Sequence, residues 1–219
     1  MTSLDAILDE LRRHANPHNV AGMARYGINT RTALGVTIPF MRKLARAHRR
    51  DHELALALWE SDIHEARIMA SLVDDPAQVT GGQMEQWVRD FDSWDICDQV
   101  CNNLFTRTRS ARAKALRWSR RKPEFIRRAG FVLMATLAVH DKAADNDSFN
   151  DFLDAIRRAA NDERNFVRKA VNWALRQIGK RNAVLRRRAT RLARKLVERP
   201  EPSARWIARD ALREFARHA

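Results

Sequence analysis

A chain of 219 residues, 45% of them hydrophobic, is long enough to bury a sizeable core, so we expect a globular protein rather than a disordered one. Its net charge of +14 at pH 7 points to a polyanionic partner, most simply nucleic acid. No run of about 18 apolar residues exists, and acidic residues interrupt the apolar pattern of the N-terminal segment, so neither a membrane span nor a signal peptide is expected.

Ala, Leu and Arg, all good helix formers, dominate the composition, whereas glycine and proline are scarce. The sequence therefore predicts an all-α fold. Apolar residues that recur with a period of about 3.6 residues mark thirteen helical segments joined by short connections. These segments lie near residues 3–14, 18–26, 38–49, 51–59, 62–73, 83–90, 94–105, 109–119, 123–139, 148–159, 163–179, 182–197 and 203–217.

The basic residues are unevenly spread along these helices. Residues 1–106 hold 11 Lys and Arg against 15 Asp and Glu, whereas residues 107–219 hold 30 against 12. This asymmetry favours a basic surface that binds a polyanion. An arginine-rich composition inherited from a GC-rich genome is the alternative, and it accounts for the preference for Arg over Lys but poorly for the asymmetry.

The second half also repeats itself. FIRRAGF begins at Phe125 and the similar FVRKAVN begins at Phe166, 41 residues later, and WALRQIG is echoed by DALREFA after a further 37 residues. Helix pairs recurring at this period are typical of a HEAT-like α-solenoid, in which antiparallel pairs stack and present a concave face. We expect a single such domain over residues 1–219, with a basic concave face. An irregular helical bundle is the alternative.

The two cysteines, Cys97 and Cys101, stand four residues apart on one predicted helix. That is a poor geometry for a disulfide, and two cysteines without neighbouring histidines make a weak metal site. We therefore expect no metal, no cofactor and a reducing, cytoplasmic location.

The helix near 94–105 carries an unusual pair of side chains. Trp94 and Asp98 stand one turn apart, so their side chains are neighbours on a face away from the core residues of this helix. An Asp in the first turn can favour the helix dipole, but Asp95 is better placed for that and Ser93 can cap the helix. Asp98 thus lacks an obvious structural role, although a purely structural one stays open.

The helix near 163–179 shows a similar departure from the usual pattern. A helical wheel gathers Val167, Val171, Ala174, Leu175 and Ile178 into one apolar stripe. The wheel sets Lys169, Asn172, Trp173 and Arg176 opposite that stripe. A tryptophan beside cations is suited to lie on a sugar or base, although packing against the next repeat is the alternative.

The segment PEFIRRAGFVLMATLA is apolar nearly all round, so Arg127 or Arg128 must point to a special partner. A buried arginine is costly unless it is paired, and a phosphate suits the guanidinium fork. Which of the two arginines takes this role is left open.

Together these segments resemble the AlkD family of HEAT-like-repeat DNA glycosylases, which are bacterial DNA alkylation repair enzymes. No single motif is specific, but their order and spacing are. The matching segments span most of the chain: MARY at 23–26, LGV at 34–36, SWD…D at 93–98, RRAGF at 127–131 and KAVNWALR at 169–176.

The resemblance implies a glycosylase that hydrolyses the N-glycosidic bond of cationic N3- or N7-alkylated purines in duplex DNA, with Asp98, Trp94 and Trp173 as catalytic residues. The absence of a lysine near Asp98 predicts a monofunctional enzyme, although Lys169 leaves lyase activity open. The same resemblance implies DNA contacts for Tyr26, the only tyrosine, and for Arg128, Arg176 and Lys169. These last four residues complete the predicted site.

The resemblance also implies double-stranded DNA as the partner and a place near the bacterial nucleoid. We expect a monomer with no obligate protein partner, although the sequence carries no evidence on oligomeric state. A non-catalytic DNA-binding solenoid that recognises unusual or branched DNA is the main alternative, and it does not need Asp98. A protein-interaction scaffold is a second alternative, because this is a frequent use of HEAT stacks.

Overall fold

The structure is a computed structural model that describes residues 3–217. All the regular secondary structure in those residues is helical, which confirms the all-α prediction. Thirteen α-helices are found there, one for each predicted segment: α1 (Ser3–Arg13), α2 (Pro17–Arg25), α3 (Ile38–Leu44), α4 (His52–Glu60), α5 (His64–Val73), α6 (Gly81–Arg89), α7 (Trp94–Asn103), α8 (Ala111–Trp118), α9 (Glu124–His140), α10 (Asn150–Ala159), α11 (Asn165–Arg181), α12 (Ala183–Val197) and α13 (Pro202–Ala216).

The predicted helix ends differ from the observed ones by a few residues. The largest difference is the segment predicted at 38–49, where α3 stops at Leu44 and a 3₁₀ helix, Ala45–His48, follows. Such tightening at a helix end is common, and a hydrophobic period alone does not reveal it. No helix in the described part of the chain is long and apolar enough to cross a membrane.

The chain divides into two compact units, residues 1–108 and residues 109–219. Unit 1 contains α1 to α7, and unit 2 contains α8 to α13. The single-domain prediction over residues 1–219 stays a prediction.

Unit 1 is held together by aromatic packing and by polar bonds between successive helices. The indoles of Trp59 on α4 and Trp87 on α6 are fully buried and stack with their ring centroids 4.0 Å apart. The Trp59 indole also donates to Asp90, 31 residues further on, at 2.8 Å. A buried indole N–H needs such an acceptor, so this bond fixes α4 against the end of α6.

Unit 2 consists of two rows of helices. Helix α11 packs against α9, α12 and α13, while α10 contacts α8, α11 and α12. The rings of Phe125 and Phe166 lie 5.7 Å apart, so residues related by the 41-residue spacing stand side by side in consecutive repeats. This packing confirms the repeat prediction for unit 2.

Two glycines allow the close approach of helices in unit 2. A Cβ added to Gly130 on α9 would lie 2.4 Å from the backbone nitrogen of Ser119, which follows α8. A Cβ on Gly179 of α11 would lie 2.3 Å from the ring of Phe215 on α13. Any larger residue at either position would therefore push neighbouring helices apart.

Candidate functional site

Helix α7 begins at Trp94, and Asp98 follows one turn later; both side chains are half-buried. The core residues Ile96 and Val100 of the same helix are buried, as the helical wheel predicted. Because residues four apart share a helix face, the indole and the carboxylate are neighbours. The structure therefore keeps the predicted pair together at the edge of the unit 1 core.

The Trp94 indole is fixed by a contact with a distant part of the chain. Its Nε1 donates to the backbone carbonyl of Tyr26, just after α2, at 3.0 Å. The side chain of Tyr26 is 73% exposed. The structure thus brings three of the sequence-predicted residues, Tyr26, Trp94 and Asp98, into one region of unit 1.

Asp95, the acidic residue between Trp94 and Asp98, has a structural partner that the sequence did not reveal. Its Oδ2 lies 2.7 Å from Nε2 of buried His64, and its Oδ1 accepts from the Ser93 hydroxyl at 2.6 Å. The expectation that Ser93 caps α7 is wrong for its side chain, because that hydroxyl is used by Asp95 and makes no capping hydrogen bond.

Burial and charge act in opposite directions on this pair. Burial alone would raise the pKa of Asp95, but the hydrogen bond and charge of His64 overcome it and hold that pKa below its usual range. Burial alone would lower the pKa of His64, but the hydrogen bond and charge of Asp95 raise it. The result is a buried ion pair that anchors the first turn of α7 to α5.

A second buried carboxylate organises the LGV segment. Glu65, next to His64 and 1% exposed, accepts the backbone N–H groups of Leu34 at 2.8 Å, Gly35 at 2.7 Å and Val36 at 3.2 Å. Gly35 has a φ of 78°, and a Cβ there would lie 2.3 Å from the carbonyl oxygen of Asn16. The LGV segment is therefore folded into a loop around the buried side chain of Glu65.

A cavity of about 310 Å³ opens beside Trp94. Its walls are largely apolar and include Met23, Ile28 and Ile68, with the His64–Asp95 pair at one side. The indole of Trp94 thus has a cavity beside it as well as the neighbouring carboxylate of Asp98.

The structure confirms the predicted core face of α11. Val167, Val171 and Leu175 are fully buried, whereas Trp173 is half-buried and Lys169 is exposed. Lys169 makes no ion pair or hydrogen bond through its side chain with any residue from 3 to 217. An exposed and unpaired lysine on this face is available to a phosphate.

The prediction for Asn172 is wrong. The wheel placed Asn172 on the cationic face, but it is only 3% exposed and its Nδ2 donates to the carbonyl of Ile207 at 3.2 Å. Helix α13 covers this side of α11, and a wheel drawn for one helix cannot show a neighbour.

Both arginines of the RRAGF segment have partners within unit 2. Arg128 is 5% exposed, and its Nη1 donates to the carbonyl of Phe166 at 2.6 Å. Arg127 donates to the carbonyl of Ser119 at 3.0 Å and pairs with Asp162 at 2.8 Å. The special partners expected for these arginines are thus partly internal, and a phosphate contact through Arg128 stays a prediction.

Arg176 also has internal partners. Its guanidinium lies 3.3 Å from Asp210 and 3.3 Å from Glu214, both on α13, and Lys180 shares Glu214 at 3.1 Å. DNA would have to compete with two carboxylates for this guanidinium. Its predicted role in DNA binding remains untested.

Within the described residues no cluster of three or more His, Cys, Asp or Glu side chains is arranged to hold a metal ion. Cys97 and Cys101 are both buried and not disulfide-bonded. The α7 site offers the Asp98 carboxylate, the aromatic side chains of Trp94 and Tyr26, and an apolar cavity bordered by the His64–Asp95 pair.

Comparison with solved structures gives the fold family. One similar structure has a TM-score of 0.83 at 17% identity and covers 99% of this chain and 95% of its own. It is described as belonging to "a new family of proteins related to the HEAT-like repeat DNA glycosylases with affinity for branched DNA structures". The HEAT-like fold is therefore shown.

Another similar structure is a designed armadillo repeat protein in complex with the peptide (KR)4, with a TM-score of 0.44 and 14% identity over 81% of this chain and 86% of its own. None of the curated proteins matches the sequence. The family described as "DNA alkylation repair enzyme" matches residues 7–215, nearly the whole length. This protein belongs to the family of DNA alkylation repair enzymes.

Proposed function

We propose that this protein is a DNA glycosylase that hydrolyses the N-glycosidic bond of cationic N3- or N7-alkylated purines in duplex DNA. One observation carries the proposal: an aromatic ring and a carboxylate stand one turn apart on α7, and the ring is held in place by the Tyr26 carbonyl. A carboxylate near the DNA backbone repels the phosphates. Its presence in a basic DNA-binding protein is explained if it stabilises a cation.

An alkylated purine that carries a positive charge is a good leaving group and needs no general acid. Positive charge develops on the deoxyribose as the bond breaks, as in other glycosyl transfers with an oxocarbenium-like transition state. A fixed carboxylate near C1′ stabilises that charge and orients the attacking water. Asp98 takes this role.

Aromatic side chains hold the sugar and the lesion. Trp94 contacts the deoxyribose and adds a cation–π attraction to the charged base. Trp173, half-buried on the α11 helix that also exposes Lys169, is the second aromatic residue of the proposal. Tyr26, Arg128, Arg176 and Lys169 are the proposed DNA contacts, and of these Tyr26 and Lys169 have the most exposed side chains.

The proposed enzyme acts as a monomer on double-stranded DNA and needs no cofactor. It is monofunctional, because its water-activating group is a carboxylate and not an amine. Borohydride trapping of the reaction mixture tests this: a covalent protein–DNA adduct would show a lysine nucleophile, with Lys169 as the first residue to replace.

The central test is release of 7-methylguanine from a duplex that carries one such lesion. Wild type should release the base, and Asp98→Asn should lower the rate about 10²–10³-fold with unchanged affinity for DNA, which is the usual cost of losing one electrostatic group in an active site. Asp92→Asn is the matched control, because it removes an exposed carboxylate just before α7 and should retain activity.

A non-catalytic DNA-binding protein is the second candidate, because the similar structure described above belongs to a family with affinity for branched DNA. It would bind a four-way junction more tightly than a duplex and release no base. Tight junction binding by wild type and Asp98→Asn alike, with no base release by either, would favour it over the glycosylase.

A further inference from the structure

A second basic feature lies in unit 1, outside the candidate site. Arg49, Arg50 and Arg107 line a cavity of about 510 Å³ at the end of α5 and α7. All three are exposed, and within residues 3–217 none of them makes a hydrogen bond or ion pair through its side chain. Residues 1–108 contain 15 acidic and only 12 basic residues, so three unpaired guanidiniums around one cavity are unexpected.

The carboxylate nearest to these arginines does not neutralise them. Asp74 also lines the cavity, but its side chain is fully buried, with Oδ1 2.7 Å from His52 and Oδ2 accepting from Gln83 at 2.8 Å. Both of its carboxylate oxygens are therefore already engaged on the inner side. The open side of the cavity is positive.

The neighbouring acidic residues have local tasks as well. Asp51 caps α4 by accepting the N–H of Leu54 at 3.0 Å, and Asp75 accepts the N–H of Ala77 at 3.1 Å. Neither is paired with an arginine of the cavity.

The backbone at Arg50 supports a functional reading of its side chain. Its φ is 64°, in the left-handed region that a residue with a Cβ rarely adopts. The N–H of Asp51 donates to the carbonyl of Val73 at 3.0 Å, which fixes this turn against the end of α5. Glycine would fit such a backbone with less strain, so the arginine side chain is kept at a cost in stability.

We infer that Arg49, Arg50 and Arg107 form a binding site for a phosphate group of the DNA backbone. Guanidinium forks match the geometry of phosphate oxygens, and the cavity offers three of them without internal competition. The inference deepens the proposed function and rests on its DNA binding, but not on its catalysis.

The position along α7 fits a phosphate near the lesion. Asn103, which lines the cavity, lies five residues after Asp98 and nine after Trp94, or roughly 7–14 Å along the helix axis. One DNA strand rises about 3.4 Å per nucleotide, so this separation along α7 equals the length of about two to four nucleotides.

The test is the salt dependence of binding to an undamaged duplex, measured by fluorescence anisotropy. Replacing Arg49, Arg50 and Arg107 together by Gln should make the slope of log K against log salt shallower by about 1, because one phosphate contact is lost. The matched control replaces Arg42, Lys43 and Arg89 by Gln. These residues are exposed, have no side-chain partner within residues 3–217 and do not line the cavity. An equal loss of slope in the control would overturn the inference, because bulk charge would then explain it.

The variant Arg50→Gly separates a binding role from a structural one. It should weaken duplex binding while melting at or above the wild-type temperature, because the backbone strain is relieved. A lower melting temperature with unchanged binding would mean that the side chain serves the fold, and would refute the site.

A free phosphate ion is the other source of the same chemistry. Inorganic phosphate at constant ionic strength is the probe, and the rise it causes in the melting temperature of wild type is compared with the rise in the triple cavity variant. If phosphate stabilises wild type selectively and the triple variant keeps the wild-type slope of duplex binding, the ligand of this site is the free ion and not the DNA backbone. If wild type releases no base in the central test but the triple variant shows the expected change of slope, the glycosylase proposal is rejected and this phosphate site is supported.

Discussion

The two units use opposite charges to hold their helices together. In unit 1 buried carboxylates are the organising groups: Glu65 gathers three backbone N–H groups and Asp95 binds His64 and Ser93. In unit 2 guanidinium groups do this work, as Arg128 donates to the Phe166 carbonyl and Arg181 donates to the carbonyls of three residues near the end of α9.

This difference changes the meaning of the charge asymmetry in the sequence. The excess of basic residues after residue 106 indicated a DNA-binding surface, but part of it is used inside unit 2. Arg127, Arg128 and Arg176 all have internal partners, whereas the Lys169 side chain has none among residues 3–217. The net charge of a segment therefore overstates the number of cations that can reach a phosphate.

The largest effect on stability is expected from a substitution that removes the hydrogen bonds of Glu65 in unit 1. Glu65→Ala leaves three backbone N–H groups without their acceptor, and at about 1–3 kcal/mol for each unsatisfied group we expect a loss of about 3–9 kcal/mol in the free energy of unfolding. Urea denaturation measures it. Glu65→Gln keeps an acceptor oxygen in place and should lose clearly less; equal losses would mean that the volume of the side chain and not its hydrogen bonds matters.

The next effect tests the corresponding arrangement in unit 2. Arg181→Met removes the guanidinium that holds the Ala138 carbonyl at 3.0 Å and the Ala144 carbonyl at 3.0 Å, and should cost about 2–3 kcal/mol in stability. The slope of duplex binding against salt should not change. Arg187→Met, at an exposed position on α12, is the control and should stay within about 0.5 kcal/mol of wild type. A shallower slope in Arg181→Met would show that this arginine also reaches DNA.

A pH titration sharpens the contrast, because unit 1 depends on the His64–Asp95 pair. The pKa of His64 is raised from 6.5, so its contribution to stability is complete below that pH and is lost as the pH rises through the folded-state pKa. The pKa of Asp95 is lowered from 3.8, so its contribution is present above that pH and is lost as the pH falls through its folded-state pKa. Wild-type stability should therefore decline above about pH 6.5 relative to His64→Gln, as followed by urea denaturation at each pH. Parallel profiles would contradict the pair.

The smallest effect on stability is expected at Lys169, whose side chain has no partner within the described residues. Lys169→Gln should leave the free energy of unfolding unchanged and make the salt slope of duplex binding shallower by about 1. Arg176→Gln is the comparison, and it should change stability more than slope because two carboxylates lose their partner. The opposite pattern would assign the phosphate contact to Arg176.

The local features of the fold followed from the sequence, and the long-range ones did not. A period of 3.6 residues located every helix and the buried stripe of α11, because those signals lie within one segment. The wrong assignment of Asn172 and the missed roles of His64 and Glu65 all depend on a neighbouring helix or loop. His64 and Asp95 are 31 residues apart, a separation that would have been informative only if a repeat of that length had been recognised in unit 1.

The candidate site was only partly predictable for the same reason. The pairing of Trp94 with Asp98 follows from their spacing, whereas the hydrogen bond from Trp94 to Tyr26 joins residues 68 positions apart. The cavity arginines gave no signal in the sequence, because their turns lie far apart along the chain and each residue alone resembles an ordinary surface arginine.

The bond between Trp94 and Tyr26 uses only the main chain of residue 26. The indole therefore keeps its anchor whatever side chain is present there, apart from one that distorts the backbone. Position 26 is consequently a place where natural variation or a directed library can alter the exposed surface of unit 1 without disturbing the tryptophan beside the carboxylate.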